Sequence, residues 1–319
     1  MGKLLVSFCN TPKYCLGLLD LDTDTFIWAT PHSGVPHPLG VTGLTKFKDK
    51  YVAAVKVKHN EYALIAYNKY GNSDGVLYLV SLAKDLHAIT TFENSLIIND
   101  TGNDRILQLF VDDDWSQYYY KQIDMPDQVS KLGDVRHINS IIGHKGKLYA
   151  SMFGLSEGGI GWVNGMNGSV VDVLNKKTIY EGLQHPHSAH VVDEDIFWLE
   201  SATSKVYKHT KNETEVFAEL PGYLRGMTHD DKYLYIAASA SRRVSKSKGT
   251  LNEIQPMEKY QSWIHILDRK TGNLIVSRNI TLLGFEIFEV LYTEDLNFPT
   301  REMPAEVERY LYNTYMHKS

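Results

Sequence analysis

The sequence lacks the features that define several protein classes. Its 319 residues include only two cysteines, Cys9 and Cys15, too few for a disulfide framework and without the CxxC spacing of a redox or zinc motif. No apolar run approaches the roughly 20 residues that span a bilayer. The first residues also lack the apolar core and cleavage site of a signal peptide. We therefore expect a cytoplasmic protein with reduced thiols and no membrane partner.

Basic charge and helical periodicity are also scarce. The formal net charge is −5, so the chain carries no basic footprint and we expect no nucleic-acid partner. Long helical periodicity is absent before the last residues of the chain. What the sequence has instead is aromatic residues, including 20 tyrosines, which favour strands over helices.

One sequence unit recurs along the chain. It consists of a polar or small anchor residue, an apolar pair, a short polar turn and a β-rich run, followed by further strand-like segments with turn signals between them. Most intervals between anchors lie near the roughly 40 to 50 residues of a four-stranded propeller blade. Six anchors predict six blades; they are Gly43, His87, Asn139, His187, Arg225 and Glu289.

The two ends of the chain complete each other. Residues 3–30 contain three predicted strands without an anchor strand, Lys3–Phe8, Leu16–Leu21 and Phe26–Ala29, whereas the anchor strand Phe285–Tyr292 has no followers. We expect the C-terminal strand to lie innermost in a blade whose three outer strands come from the N-terminus, since ring closure protects strand edges. The sequence thus predicts an all-β, six-bladed propeller as a single domain over residues 1–319. An insertion loop at about 242–261, which could act as a lid, and a short helical tail at about 305–315 complete this prediction.

Equivalent positions of the innermost strands converge on a propeller axis, so the anchors are candidate site residues. A metal site is one interpretation, because three imidazoles and a carboxylate with an open position suit Zn, Fe or Mn. The candidate ligands are His87, His137, His187 and Glu289, with His185, His190, Asp85 and Glu286 as alternates.

Two other interpretations need no metal. In acid–base chemistry, His187 and Glu289 would transfer protons while Arg225 stabilises a substrate carboxylate or a developing negative charge. Asn139 and Tyr223 would then join Arg225 in binding the substrate. In a structural interpretation, the same polar groups bridge blades and bind trapped water. Buried charges cost stability unless they are paired, which disfavours a purely structural ring.

Three segments resemble a family of bacterial six-bladed propellers known only as a domain of unknown function. They are residues 137–140, residues 186–188 with 198–201, and residues 220–226, and the resemblance spans roughly residues 135 to 292. The architecture more distantly resembles the gluconolactonase and paraoxonase group, which implies a divalent metal held by Glu, Asn and Asp. Glu289 and Asn139 match that set, but His87, His187 and Arg225 depart from it and disfavour a calcium-dependent lactonase.

The sequence leaves two classes of function open. The first is an enzyme, a lyase or hydrolase that acts on a small anionic or polar substrate at the channel mouth, where Gly43 leaves space for access. The second is a non-catalytic propeller that binds a ligand or another protein through its outer loops. Neither the substrate nor the oligomeric state follows from the residues.

Overall fold

The computed structural model describes residues 2–9, 14–125, 133–155, 167–211, 213–240, 261–299 and 309. Within these ranges the fold is a six-bladed β-propeller of six four-stranded antiparallel sheets. Blade 1 contains β4–β7, and blades 2 to 5 contain β8–β11, β12–β15, β16–β19 and β20–β23. Blade 6 contains β24 and β1–β3. The strands are β1 (Lys3–Phe8), β2 (Leu16–Asp20), β3 (Thr25–Trp28), β4 (Gly40–Phe47), β5 (Lys50–Lys58), β6 (Glu61–Tyr67), β7 (Ser73–Tyr78), β8 (Leu86–Phe92), β9 (Ser95–Asp100), β10 (Arg105–Val111), β11 (Tyr118–Ile123), β12 (Ile138–His144), β13 (Lys147–Met152), β14 (Gly168–Asp172), β15 (Lys177–Leu183), β16 (Pro186–Val192), β17 (Asp195–Glu200), β18 (Lys205–His209), β19 (Thr214–Glu219), β20 (Tyr223–His229), β21 (Tyr233–Ser239), β22 (Trp263–Asp268), β23 (Leu274–Asn279) and β24 (Ile287–Thr293).

Burial falls from the centre of each blade to its rim. The second strand of blade 2, β9, is buried along its whole length, whereas β11 at the rim is mostly exposed. Apolar side chains from facing sheets form clusters between neighbouring blades, and one such cluster joins Leu64 of blade 1 to Leu96 and Leu107 of blade 2. A single-turn 3-10 helix at Thr101–Asn103 follows β9. No helix within the described ranges is long and apolar enough to cross a membrane.

The two termini share blade 6, as the sequence predicted. Its strand order is β24-β1-β2-β3, and β24 pairs antiparallel with β1, with Leu5 opposite Leu291. Neighbouring innermost strands contact one another around the whole ring, so the ring is closed. The predicted strand limits differ from the observed ones by only one or two residues. The predicted insertion at about 242–261 lies, but for residue 261, outside the described residues, and so does the tail at about 305–315 apart from Arg309.

Every innermost strand carries a β-bulge near its start. At each bulge the ladder to the neighbouring strand shifts by one residue, so that two residues of the inner strand oppose one of its partner. The first residues of these bulges are Thr42, His87, Asn139, Ser188, Arg225 and Phe288. A bulge turns side chains out of the regular alternation, and here it does so at the same end of all six strands. We call this end of the channel the N-terminal mouth.

Side-chain hydroxyls connect successive blades just below this mouth. Ser201 donates to the carbonyl of Leu224 at 2.5 Å, and Ser239 donates to the carbonyl of Ile287 at 2.6 Å. In both cases the accepting residue directly precedes a bulge. Because these bonds are buried, they fix the start of each inner strand relative to the preceding blade.

Candidate functional site

The six anchors do not occupy one register position. His87, Asn139 and Arg225 are bulge residues, as predicted for equivalent positions. His187 lies one residue before the first residue of its bulge, while Gly43 and Glu289 are the second residues of theirs. The alignment of all six in a single ring was therefore wrong, because a shared motif does not reveal where the extra residue of a bulge falls.

Their side chains nevertheless gather at the N-terminal mouth through a chain of ring contacts. Starting from blade 2, the ring of His87 contacts that of His137 with centroids 4.9 Å apart. His137 contacts Phe153, and Phe153 contacts His187 at 4.9 and 5.1 Å. His187 in turn lies 5.5 Å from Tyr223 of blade 5. This chain of rings spans blades 2 to 5.

Two phenylalanines that the sequence analysis did not identify organise this chain. Phe153 stacks on His185 at 4.5 Å with nearly parallel rings. The Arg225 guanidinium lies over the ring of Phe288, with Cζ 3.4 Å from its centroid. Phe288 also contacts His87 at 5.6 Å, although blade 1 separates their two blades. Gly43 of blade 1 packs closely against β8, where a Cβ would lie 2.8 Å from the amide nitrogen of Ile89.

His187 is held by two oxygen atoms on one side of its ring. Its Nδ1 lies 2.7 Å from the hydroxyl of Ser201 and 3.0 Å from the carbonyl of His185. Burial lowers the pKa of His187 well below the ordinary 6.5, and the charges of Arg225 and His185 lower it further. The side chain is therefore a neutral imidazole at physiological pH.

His87 lies between two oxygen acceptors. Its Nε2 is 3.4 Å from a carboxylate oxygen of Asp85, and its Nδ1 is 3.4 Å from the amide oxygen of Asn139. The Asn139 amide nitrogen donates to the carbonyl of His137 at 2.9 Å, which orients its oxygen towards His87. Burial acts to raise the pKa of Asp85, but its attraction to His87 and their hydrogen bond lower it below the ordinary range.

His137 forms a dyad with Asp134, whose carboxylate lies 2.6 Å from its Nδ1. Burial lowers the pKa of His137 to about 4, although this hydrogen bond acts against the change. Asp85, His137 and His185 all have positive φ values, between 49° and 53°. Non-glycine residues seldom adopt this conformation, and such strain clusters at functional sites.

Glu289 and Arg225 form the charged part of the site. Burial raises the pKa of Glu289 to about 7, even though the backbone amide of Val290 and the charge of Arg225 act to lower it. The amide of Val290 donates to the Glu289 carboxyl at 3.1 Å. Gly226, with φ at +88°, brings its Cα against the backbone of Glu289, where a Cβ would lie 3.1 Å from the Glu289 Cα. The close approach of β20 and β24 therefore needs glycine at this position.

Two of the alternate candidates and Tyr223 make further contacts. The Nε2 of His190 contacts the Nδ1 of His229, the last residue of β20, at 2.8 Å, and burial lowers the pKa of His190 to about 3. The carbonyl of Glu286 accepts a hydrogen bond from the amide of Cys9, next to the start of β24. Tyr223, predicted to bind substrate, has its hydroxyl 3.4 Å from the Nδ1 of His185.

The predicted metal ligands do not form a ligand set among the described residues. No group of three His, Cys, Asp or Glu side chains there is arranged to hold a metal ion. The Nδ1 atoms of His137 and His187 already contact Asp134 and Ser201. A bound transition metal stays a prediction that only metal analysis tests.

Comparison of the sequence with family models gives one match, to a domain of unknown function, DUF4915, over residues 82–301. The chain belongs to this family. The matched residues contain blades 2 to 5 and β24, the innermost strand of blade 6, and they include every candidate of the N-terminal mouth except Gly43. The match agrees with the resemblance seen in the sequence, and it extends further towards the N-terminus. No curated protein matches the sequence.

Several solved structures share the fold. A chain of a nidogen/laminin complex superposes with a TM-score of 0.61 at 11% identity, over 93% of this chain and 100% of that one. A protein of unknown function from Bacteroides caccae gives 0.59 at 10% identity, over 91% and 97%. A candidate 6-phosphogluconolactonase from Bacteroides uniformis gives 0.51 at 11% identity, over 91% and 99%. The last agrees with the gluconolactonase-like architecture expected from the sequence. At these identities the likeness establishes the fold alone.

Proposed function

We propose that the protein is a small-molecule enzyme with its active site at the N-terminal mouth. It acts on a small anionic substrate by acid–base chemistry, as a lyase or a hydrolase. One observation carries this proposal: a neutral histidine, a guanidinium and a carboxyl group that titrates near pH 7 interact electrostatically at the same mouth. Opposite pKa shifts of a buried imidazole and a buried carboxyl are typical of acid–base pairs.

His187 is the proposed base. A neutral imidazole can accept a proton at physiological pH, whereas an imidazolium cannot. In a lyase, His187 would remove a proton next to the carboxylate of the substrate; in a hydrolase, it would remove a proton from the attacking water. Glu289, with a pKa of about 7, is present in both protonation states near neutral pH, and its protonated form would donate its own proton to the leaving group.

Arg225 is the proposed anion-binding group. Its guanidinium lies over the ring of Phe288, and this contact limits the orientations in which it would bind a carboxylate. Asn139 and Tyr223 would contact the polar part of the substrate, since both lie beside the histidines of the mouth. The direct neighbours of the anion would thus come from blades 3, 4 and 5.

A ligand and turnover screen tests this proposal. Carboxylates, sugar acids and lactones are added to the protein, and thermal shift and product formation are followed. We expect some of these compounds to raise the Tm of the native protein but not of Arg225→Met, and His187→Gln to keep binding while it loses turnover by a factor of about 100 or more. Arg278→Met is a matched control, because Arg278 pairs with Asp24 on the exposed rim.

The outcomes separate the proposal from its alternatives. Binding or turnover that survives both mutations contradicts a site at this mouth. A protein that binds and converts none of the compounds supports the non-catalytic propeller. Elemental analysis of the purified native protein tests the predicted Zn, Fe or Mn, and a stoichiometric metal would add metal dependence to the proposed chemistry.

A further inference from the structure

Ser201 and His187 lie within hydrogen-bond distance of each other, as a nucleophile and its base would. In such a pair the serine donates its proton to the histidine, whereas here the serine accepts a hydrogen bond from it. The Ser201 hydroxyl lies 2.5 Å from the carbonyl of Leu224, and that carbonyl can only accept. The single proton of the hydroxyl is therefore donated to Leu224. Ser201 is buried, with an exposed fraction of 2%, so its hydroxyl donates to this carbonyl and not to solvent.

This arrangement determines the proton position on His187. Since the Ser201 proton points to Leu224, its oxygen must accept a hydrogen bond from the Nδ1 of His187 at 2.7 Å. The second atom near Nδ1, the carbonyl of His185 at 3.0 Å, is also an acceptor only. Both neighbours therefore require a proton on Nδ1. In a neutral imidazole, Nε2 then carries a lone pair.

We propose that Ser201 is a positioning residue that holds His187 as the Nδ1–H tautomer and leaves Nε2 as the proton acceptor of the site. This inference rests on the proposed function only in naming Nε2 as the catalytic atom; the tautomer itself follows from the hydrogen bonds. A serine nucleophile would face Nε2 of its histidine and would donate its proton to that atom. Ser201 instead faces Nδ1. It therefore orients the base, and His187 does not activate it as a nucleophile.

The same serine also couples the base to the proposed anion-binding group. Leu224, which accepts the Ser201 proton, directly precedes Arg225 in β20. The hydrogen-bond series His187–Ser201–Leu224 thus fixes the imidazole of blade 4 relative to the strand that carries the guanidinium of blade 5. Loss of the hydroxyl is expected to change the orientation and the tautomer of His187 without removal of either proposed functional side chain.

Nuclear magnetic resonance of the imidazole nitrogens tests this inference on the full chain without any substrate. The protein is labelled with 15N-histidine, and the His187 signals are assigned by their loss in His187→Gln. We expect His187 of the native protein to have a protonated Nδ1 and an unprotonated Nε2 at pH 7. In Ser201→Ala the ratio of the two tautomers should move roughly five-fold towards Nε2–H, the factor that corresponds to a hydrogen bond of about 1 kcal/mol. Ser201→Thr, which retains a hydroxyl, should restore the native ratio.

Ser239→Ala is the matched control. Ser239 makes the same kind of buried bond from blade 5 to the carbonyl of Ile287 in blade 6, and no histidine among the described residues hydrogen-bonds to its oxygen. It should lower the Tm about as much as Ser201→Ala while the His187 signals stay unchanged. A native Nε2–H tautomer, or equal His187 signals in the two alanine variants, would overturn the proposal. Because this readout needs no turnover, it can succeed even if the proposed enzyme activity fails.

Discussion

Replacement of Glu289 by glutamine tests the electrostatics of the site through protein stability. Burial raises the pKa of this carboxyl from 4.5 to about 7. The folded protein thus binds a proton that the unfolded chain releases at lower pH. Glutamine has nearly the same shape as protonated glutamic acid but cannot ionise, so Glu289→Gln isolates the cost of the charge.

The sign and size of the effect follow from this pKa. Below about pH 4.5 the carboxyl is protonated in both the folded and the unfolded chain, and it adds no pH dependence. As the pH rises from 4.5 to about 7, the unfolded chain ionises first and the folded state loses stability. A difference of 2.5 units at 1.36 kcal/mol each gives a penalty of about 3 kcal/mol above pH 7. This is an upper value, because Glu289 is partly exposed.

Urea unfolding of the native protein and of Glu289→Gln at pH 5, 6, 7 and 8 measures this penalty. We expect Glu289→Gln to gain free energy of unfolding relative to the native protein as the pH rises, by up to about 3 kcal/mol at pH 8. In an Arg225→Met background the gain should begin at the same pH but continue to a higher one, since Arg225 lowers the pKa of Glu289. A difference that is constant with pH would refute a raised pKa. A native protein that becomes the more stable one at pH 8 would show that the ionised carboxylate stabilises the fold.

Two further predictions concern the backbone and a buried ion pair. Gly226→Ala should destabilise the protein by about 1–3 kcal/mol more than Gly146→Ala in urea unfolding, because both residues have positive φ but only at Gly226 would an added Cβ meet described atoms, those of the Glu289 backbone. Equal losses would contradict the close approach of the two strands. Arg136→Met should cost about 3–5 kcal/mol, since it leaves Asp104, 2.8 Å away and equally buried, without its partner. The double variant with Asp104→Asn should recover part of that loss, and a loss under 1 kcal/mol in the single variant would contradict a buried pair.

Much of the fold was predictable from the sequence because blades repeat. Each blade needs an apolar inner strand and polar turns, so the anchors recur mostly at intervals near 40 to 50 residues, and their number equals the number of blades. Ring closure was also predictable, since strands at both ends lacked partners and the pairing of β24 with β1 provides them. The predicted strand limits differ from the observed ones by a residue or two where a turn residue continues the hydrogen-bonded ladder, as Thr25 does in β3.

The site was less predictable because a bulge changes which residues are equivalent. Repeats align by hydrophobic pattern, but the extra residue of each bulge falls at a position that the pattern does not mark. His187 and Glu289 were therefore placed in a ring with His87, although His87 is the first residue of its bulge, His187 precedes its bulge and Glu289 is the second residue of its own. Phe288 was overlooked for the same reason: it directly precedes an anchor, and only the bulge turns it towards Arg225.

Other supporting residues escaped prediction because they come from strands and loops outside the anchors. Ser201 follows the second strand of blade 4, and Asp134 precedes the inner strand of blade 3. Their roles depend on contacts across the blade or between blades, such as the bond from Ser201 to Leu224. The segment around Ser201 did contribute to the family resemblance, yet a sequence pattern alone does not state which atom a serine contacts.

Arg225 interacts with both His187, the proposed base, and Glu289, the proposed acid, and its charge helps to set the pKa of each. Burial disfavours charge on both titrating groups, which lowers the pKa of His187 and raises that of Glu289. The guanidinium disfavours a second positive charge on His187 and favours a negative charge on Glu289, so it lowers both pKa values. For the histidine the two effects add, and the group stays neutral; for the glutamate they oppose, and the pKa stops near 7. Burial together with one guanidinium that interacts with both groups thus gives a neutral base and a carboxyl whose pKa lies near physiological pH.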